Sequence, residues 1–110
     1  MTRASNRFAN EGEALQLYCP YTRVNSWQLD ENDFLAVCEN DKPILNNNSY
    51  ITHRMNISSD CTVLTITNFT KEDAGTYVCF VTQKDKDNTD GYAKHAIYVR
   101  LRSEYTFVVS

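Results

Sequence analysis

Four side chains in this 110-residue chain could do covalent chemistry: Cys19, Cys38, Cys61 and Cys79. No two of them stand at C-x-x-C spacing, so they read better as two disulfides than as a zinc site, whose ligands usually come in close pairs. Disulfides persist where the surroundings are oxidising, which points outside the cytosol. The acidic run Asp85, Asp87 and Asp90 raises calcium. An EF-hand loop needs an oxygen ligand at its position 5, Gly at 6 and Glu at 12; counted from Asp85 these are Thr89, Asp90 and Ala96, so the register fails. A solvated hairpin turn is the better reading. His53 and His95 have no acidic and nucleophilic partners at a recognisable spacing. The only glycines, Gly12, Gly75 and Gly91, build no phosphate loop. The sequence therefore predicts a protein that is not an enzyme and has neither cofactor nor metal.

The formal net charge of -3 argues against nucleic acid, which calls for a basic stripe. No run approaches the roughly eighteen apolar residues of a membrane span, and no direct membrane contact is expected of the domain. Residues 1–5 lack the apolar core of a signal peptide; the expectation is that a natural leader precedes this stretch and that Met1 is an artificial start. Three N-x-S/T triplets, at Asn47, Asn56 and Asn68, are candidate glycosylation sites of an exported protein, although a chain this rich in Asn carries some by chance.

The elements that must position the cysteines are organised around Asp73-Ala74-Gly75-Thr76-Tyr77-Val78-Cys79. An Asp ahead of a Gly, a Tyr two residues before a Cys, and an earlier Cys and Trp form the signature of an immunoglobulin-like sandwich. There the Tyr77 hydroxyl bonds back to the corner backbone, and Gly75 permits a tight backbone. By the rule of that fold Cys19 bonds Cys79 across the sheets. Cys38 and Cys61 are left to pair with each other, or else with another chain. Arg54 is a candidate ion-pair partner for Asp73. The predicted fold class is all-β, an immunoglobulin-like β-sandwich of I or V type, with residues 1–102 as the domain and 103–110 as a linker.

In chain order, residues 1–12 read as irregular with a short edge strand. Glu13 to Cys19 alternates Leu15, Leu17 and Cys19 inward, and Pro20 ends the strand. Val24 to Leu29 carries the core Trp27, and Phe34 to Cys38 follows a polar turn. Residues 39–49 read as loop around Pro43, and Tyr50 to Ile57 as a strand. Cys61 to Thr67 turns Leu64 and Ile66 inward, with Phe69 beneath the core. The next strand turns Tyr77, Cys79 and Val81 inward; Asp90-Gly91 is a hairpin signal; and Lys94 to Leu101 turns Ile97, Val99 and Leu101 inward. Parity then sends Val78, Phe80, Ala96 and Tyr98 outward, which predicts an exposed apolar patch for a partner or neighbouring domain. Tyr105 and Phe107 join it as candidate docking residues of the linker.

Several features coincide less commonly. Cys19 to Trp27 spans only 27 - 19 = 8 positions, a short turn for this fold. With it come the second Cys pair, with Cys61 heading Cys61-Thr62-Val63-Leu64-Thr65-Ile66, the run Gly75-Thr76-Tyr77-Val78-Cys79-Phe80, and the ending Ala96-Ile97-Tyr98-Val99-Arg100 before Tyr105-Thr106-Phe107-Val108. Together these resemble the first immunoglobulin domain of the vascular endothelial growth factor receptors; the related platelet-derived growth factor receptors typically lack the second Cys pair. The long segment between Cys38 and Cys61 fits an invertebrate relative. The resemblance implies a membrane-distal, accessory module of a single-pass receptor tyrosine kinase at the cell surface. Its partners would be a cystine-knot growth factor dimer or the neighbouring receptor domain, and the kinase would lie elsewhere in the full-length protein. The competing expectation is an adhesion module that binds itself or another protein through the same sheet.

Overall fold

Alternation of apolar and polar residues needs one buried face per strand, and the chain meets that need with two sheets packed face to face. The structure, a computed structural model, describes residues 2–21, 23–30, 33–39, 42–47, 51–84 and 90–102, the side chains of 2, 3, 82–84 and 90–92 excepted. The described strands are β1 (Thr2–Ala9), β2 (Leu15–Tyr18), β3 (Ser26–Leu29), β4 (Asp33–Glu39), β5 (Lys42–Leu45), β6 (Met55–Ile57), β7 (Val63–Ile66), β8 (Gly75–Lys84) and β9 (Asp90–Leu101). One sheet has six strands in the order β1-β9-β8-β3-β4-β5, the other three in the order β2-β7-β6. Pairing is antiparallel except between β1 and β9, which run parallel.

Four local expectations are corrected. The first strand is not short: β1 covers eight residues, held by its ladder with β9 and by the buried Ala9, while its exposed, largely polar face hid it from hydrophobic pattern. Residues 42–45 form β5 rather than loop. Pro43 is tolerated because β5 is an edge strand with a neighbour on one side only. Thr52–Arg54 is a 3₁₀ turn, and only Met55–Ile57 of the predicted strand is extended. Asp90 and Gly91 are not the hairpin turn but ladder residues opposite Lys84 and Gln83; residues 85–89, with Asp85 and Asp87, lie outside the described residues, as does the predicted linker with Tyr105 and Phe107.

Trp27 is fully buried between two covalent ties. Its neighbour across β3 and β8 is Cys79, which bonds Cys19, and its indole Nε1 donates to the Cys61 carbonyl at 2.8 Å. Cys61 bonds Cys38. Both disulfides join one sheet to the other, and with sequence separations of 60 and 23 the chain-entropy model gives roughly 4 and 3 kcal/mol. Cys61 sits at φ 65° in a turn organised by Asp60. One Asp60 carboxylate oxygen accepts from the Ser58 hydroxyl at 2.7 Å, the Thr62 hydroxyl at 2.7 Å and the Thr62 N–H at 3.1 Å. These bonds, the Ser58 hydroxyl foremost, hold its pKa down at about 2.

At the other end of the core Asp73 is 0% exposed. Arg54 grips it with two bonds, Nη2 to Oδ1 at 2.7 Å and Nη1 to Oδ2 at 2.8 Å. Thr70 N–H adds a third at 2.9 Å, and the Tyr77 hydroxyl donates to the Asp73 carbonyl at 2.6 Å. Gly75 works by space, not by φ: a Cβ there would lie 2.8 Å from the Asp30 carboxylate, whose Oδ1 accepts the Thr76 N–H. Two packed sheets, the inter-sheet bond beside a buried Trp and the tyrosine corner make this an immunoglobulin-like β-sandwich, with β4 and β5 extending the six-stranded sheet as in variable-type domains.

Arg54→Met strands a buried carboxylate and should cost about 3–5 kcal/mol. Urea unfolding of Arg54→Met, Asp73→Asn and the double variant checks this, and additive losses would deny the coupling. Asp60 carries a second expectation. Its folded pKa lies below the usual 3.8, so its contribution is complete above that value and fades as pH falls through about 2. Asp60→Ala should therefore lower Tm at pH 7, with the difference from the native chain closing towards pH 2.

Candidate functional site

Opposed residues on neighbouring strands share a face, so the registers assemble the outer surface of the six-stranded sheet row by row. The first row runs Ile44, Val37, Ser26, Phe80, Lys94. Below it run Phe34, Gln28, Val78, Ala96 and Ala4. Thr76, Tyr98 and Asn6 make the third. The large residues of the first and third rows flank the small ones of the second.

That size order makes a cleft of about 400 Å³. Val78 and Ala96 form its floor, Phe80 and Tyr98 rise on either side, Gln28 closes it towards β4, and Lys94 and Asp30 with Thr76 mark its two ends. The predicted outward residues are thus brought together, with one correction. Val78 and Ala96 are buried, at 7% and 9% exposure, because their taller neighbours shade them, whereas Phe80 is half-buried and Tyr98 is 39% exposed. The sequence predicts an exposed apolar patch; the surface is concave, with two of those four residues as its floor.

Sequence reasoning missed Phe8, Phe34, Val37 and Ile44 on the same face. Ile44 is 57% exposed and Phe8 43%. Parity along residues 42–45 would have found Ile44 had β5 been recognised. Phe34 was hidden by the irregularity between β3 and β4 at Trp27 and Gln28, which lets consecutive Leu35 and Ala36 both be buried.

The other candidates lie apart from this cleft. Asn56 faces outward on β6, in a row with Thr65 and Gln16 on the outer face of the three-stranded sheet. Asn68 is exposed in the turn after β7, and Asn47 is exposed just after β5. His95 faces the interior side, its Nε2 3.0 Å from the Ser5 hydroxyl, and His53 is exposed in the 3₁₀ turn. Among the described residues no group of three His, Cys, Asp or Glu side chains gathers.

Comparison with known proteins agrees with this geometry. The sequence model of the immunoglobulin domain matches residues 5–90. No curated protein sequence matches the chain. Among solved structures, the first immunoglobulin-like domain of human CD48 antigen superposes with a TM-score of 0.68 at 16% identity, over 96% of this chain and 88% of that one. The CD2-binding domain of CD58 gives 0.59 at 19%, over 87% and 53%, and the V domain of amphioxus IgVJ-C2 gives 0.58 at 18%, over 88% and 98%. At such identities these likenesses speak for the fold. With the family model matching most of its length, the chain belongs to the immunoglobulin domain family.

Proposed function

We propose that this chain is an extracellular recognition module of a cell-surface protein, and that it binds a protein partner through the outer face of its six-stranded sheet. The observation that carries this reading is the aromatic-walled cleft at the centre of that face. It joins apolar area able to exclude water with polar and charged ends, the composition of an interaction site. Two disulfides suit an oxidising compartment. The three sequons support the choice of face: none lies in a strand of the six-stranded sheet, while a glycan on Asn56 would cover the opposite surface. The structurally similar CD58 domain is a CD2-binding one, which makes protein recognition a precedent for this architecture.

A second reading is favoured by the short Cys19-to-Trp27 turn and the second disulfide: the accessory first domain of a growth factor receptor tyrosine kinase, with the cleft or Tyr105 and Phe107 packed on a neighbouring domain. Its test is the coding sequence after Ser110. A membrane span and a kinase signature set would support it; a membrane anchor with no kinase would end it.

For the recognition reading, the test is binding to an array of recombinant ectodomains. Phe80→Asp should weaken any partner detected by at least ~10-fold, while Thr65→Asp on the opposite sheet should leave it unchanged. The reverse pattern overturns the choice of face. Chain secreted from glycosylating cells should carry sugar at Asn47, Asn56 and Asn68, each removed by Asn→Gln and read as lost mass.

A further inference from the structure

Tyr18 is an exposed aromatic side chain that the cleft does not use. It stands on β2, 56% exposed, on the outer surface of the three-stranded sheet and level with Val63 of β7. Its hydroxyl donates to Gln16 Oε1 at 2.7 Å, which tips the ring along β2 towards the row of Gln16, Thr65 and Asn56. The middle strand of that sheet is β7, and its outward residues here, Val63 and Thr65, are short and half-buried. They leave a shallow trough over β7, with the Tyr18 ring on one bank and the exposed Asn56 on the other.

Asn56-Ile57-Ser58 is an acceptor triplet for N-linked sugar. Asn56 and Gln16 lie two strands apart, about 10 Å, a span that the two N-acetylglucosamine rings at the base of such a glycan cover when laid across β7. Each sugar ring has an apolar face of C–H groups, which packs on an aromatic ring as other apolar surface does, while its hydroxyl edge stays in water. Resting on the extracellular placement proposed above, we infer that the glycan on Asn56 lies across β7 with its inner sugar rings packed on Tyr18. Docked in this way it takes the apolar ring out of water and closes the three-stranded sheet to contact, which leaves the six-stranded sheet open to a partner.

The chain secreted from glycosylating cells with Asn47→Gln and Asn68→Gln should carry sugar at Asn56 alone, read as intact mass. Its Tm is compared with that of the same chain bearing Asn56→Gln, each with Tyr18 kept and with Tyr18→Ser. This cycle cancels whatever Tyr18 does for the protein without sugar. The sugar should raise Tm by about 4 °C where Tyr18 is kept, the shift of one ordinary aromatic contact in a domain of this size, and by less than about half of that in the Tyr18→Ser chain. Should Tyr18→Ser fail to fold, nuclear Overhauser contacts between the Tyr18 ring protons and the sugar C–H groups decide the matter, their presence supporting the inference and their absence ending it. An equal Tm shift in both backgrounds overturns it. So does a bare Asn56 in a native chain that carries sugar at Asn47 or Asn68, and partner binding that depends on Phe80 then leaves the recognition reading standing. A native chain that is secreted with no sugar at any of the three and binds no ectodomain fells both.

Discussion

The position of Trp27 between two inter-sheet disulfides is the constraint on which the other features rest. Its strand neighbour Cys79 holds β8 to β2 through Cys19, and its indole is hydrogen-bonded to the backbone of Cys61, which ties β4 to the entry of β7. With the ring fully buried and its one polar atom satisfied, the two sheets are fixed in spacing at a single point. Because side chains alternate strictly along a strand, fixing Trp27 and Cys79 inward also fixes Gln28, Val78 and Phe80 outward. The outer face of the six-stranded sheet follows from the core.

The far end of the sandwich is held by polar means. Asp73 is buried as a carboxylate, an arrangement that costs free energy unless each lone pair finds a donor, and here Arg54 and Thr70 supply them while Tyr77 binds the backbone carbonyl. The result is less a source of net stability than a device with one good geometry. It sets where β8 begins. Immediately beyond it Asp30 and Gly75 lie so close that a side chain on residue 75 would displace the carboxylate. One end of the cleft is thereby positioned by the same corner that closes the core.

Between these two anchors the outer face is decided by side-chain size. Ala96 and Val78 are small, Phe80 and Tyr98 are large, and the registers of β3, β8 and β9 put small between large. A surface of this kind buries part of its apolar area against itself and presents the rest around a depression, which suits a partner that projects something into it. The opposite sheet shows Gln16, Thr65 and Asn56 in the equivalent row, with the exposed Tyr18 beside Val63 in the next.

The sequence by itself determined the fold class, the Cys19–Cys79 tie, the buried Trp27, the corner at Asp73 and Tyr77, and the outward parity of Phe80 and Tyr98. Each rests on local spacing, where alternation of period two and the Asp-x-Gly-x-Tyr-x-Cys run leave few alternatives. Tertiary structure decided what depends on neighbours. β1 and β5 exist because an adjacent strand pairs with them, not because their residues are apolar. Phe34 joined the outer face because a register shift against β3 re-aims β4. Val78 and Ala96 became a floor rather than a patch because their cover comes from residues one row away on two strands. Lys94 and Asp30, 64 positions apart by 94 - 30, became the two ends of one cleft only when β3, β8 and β9 were laid side by side.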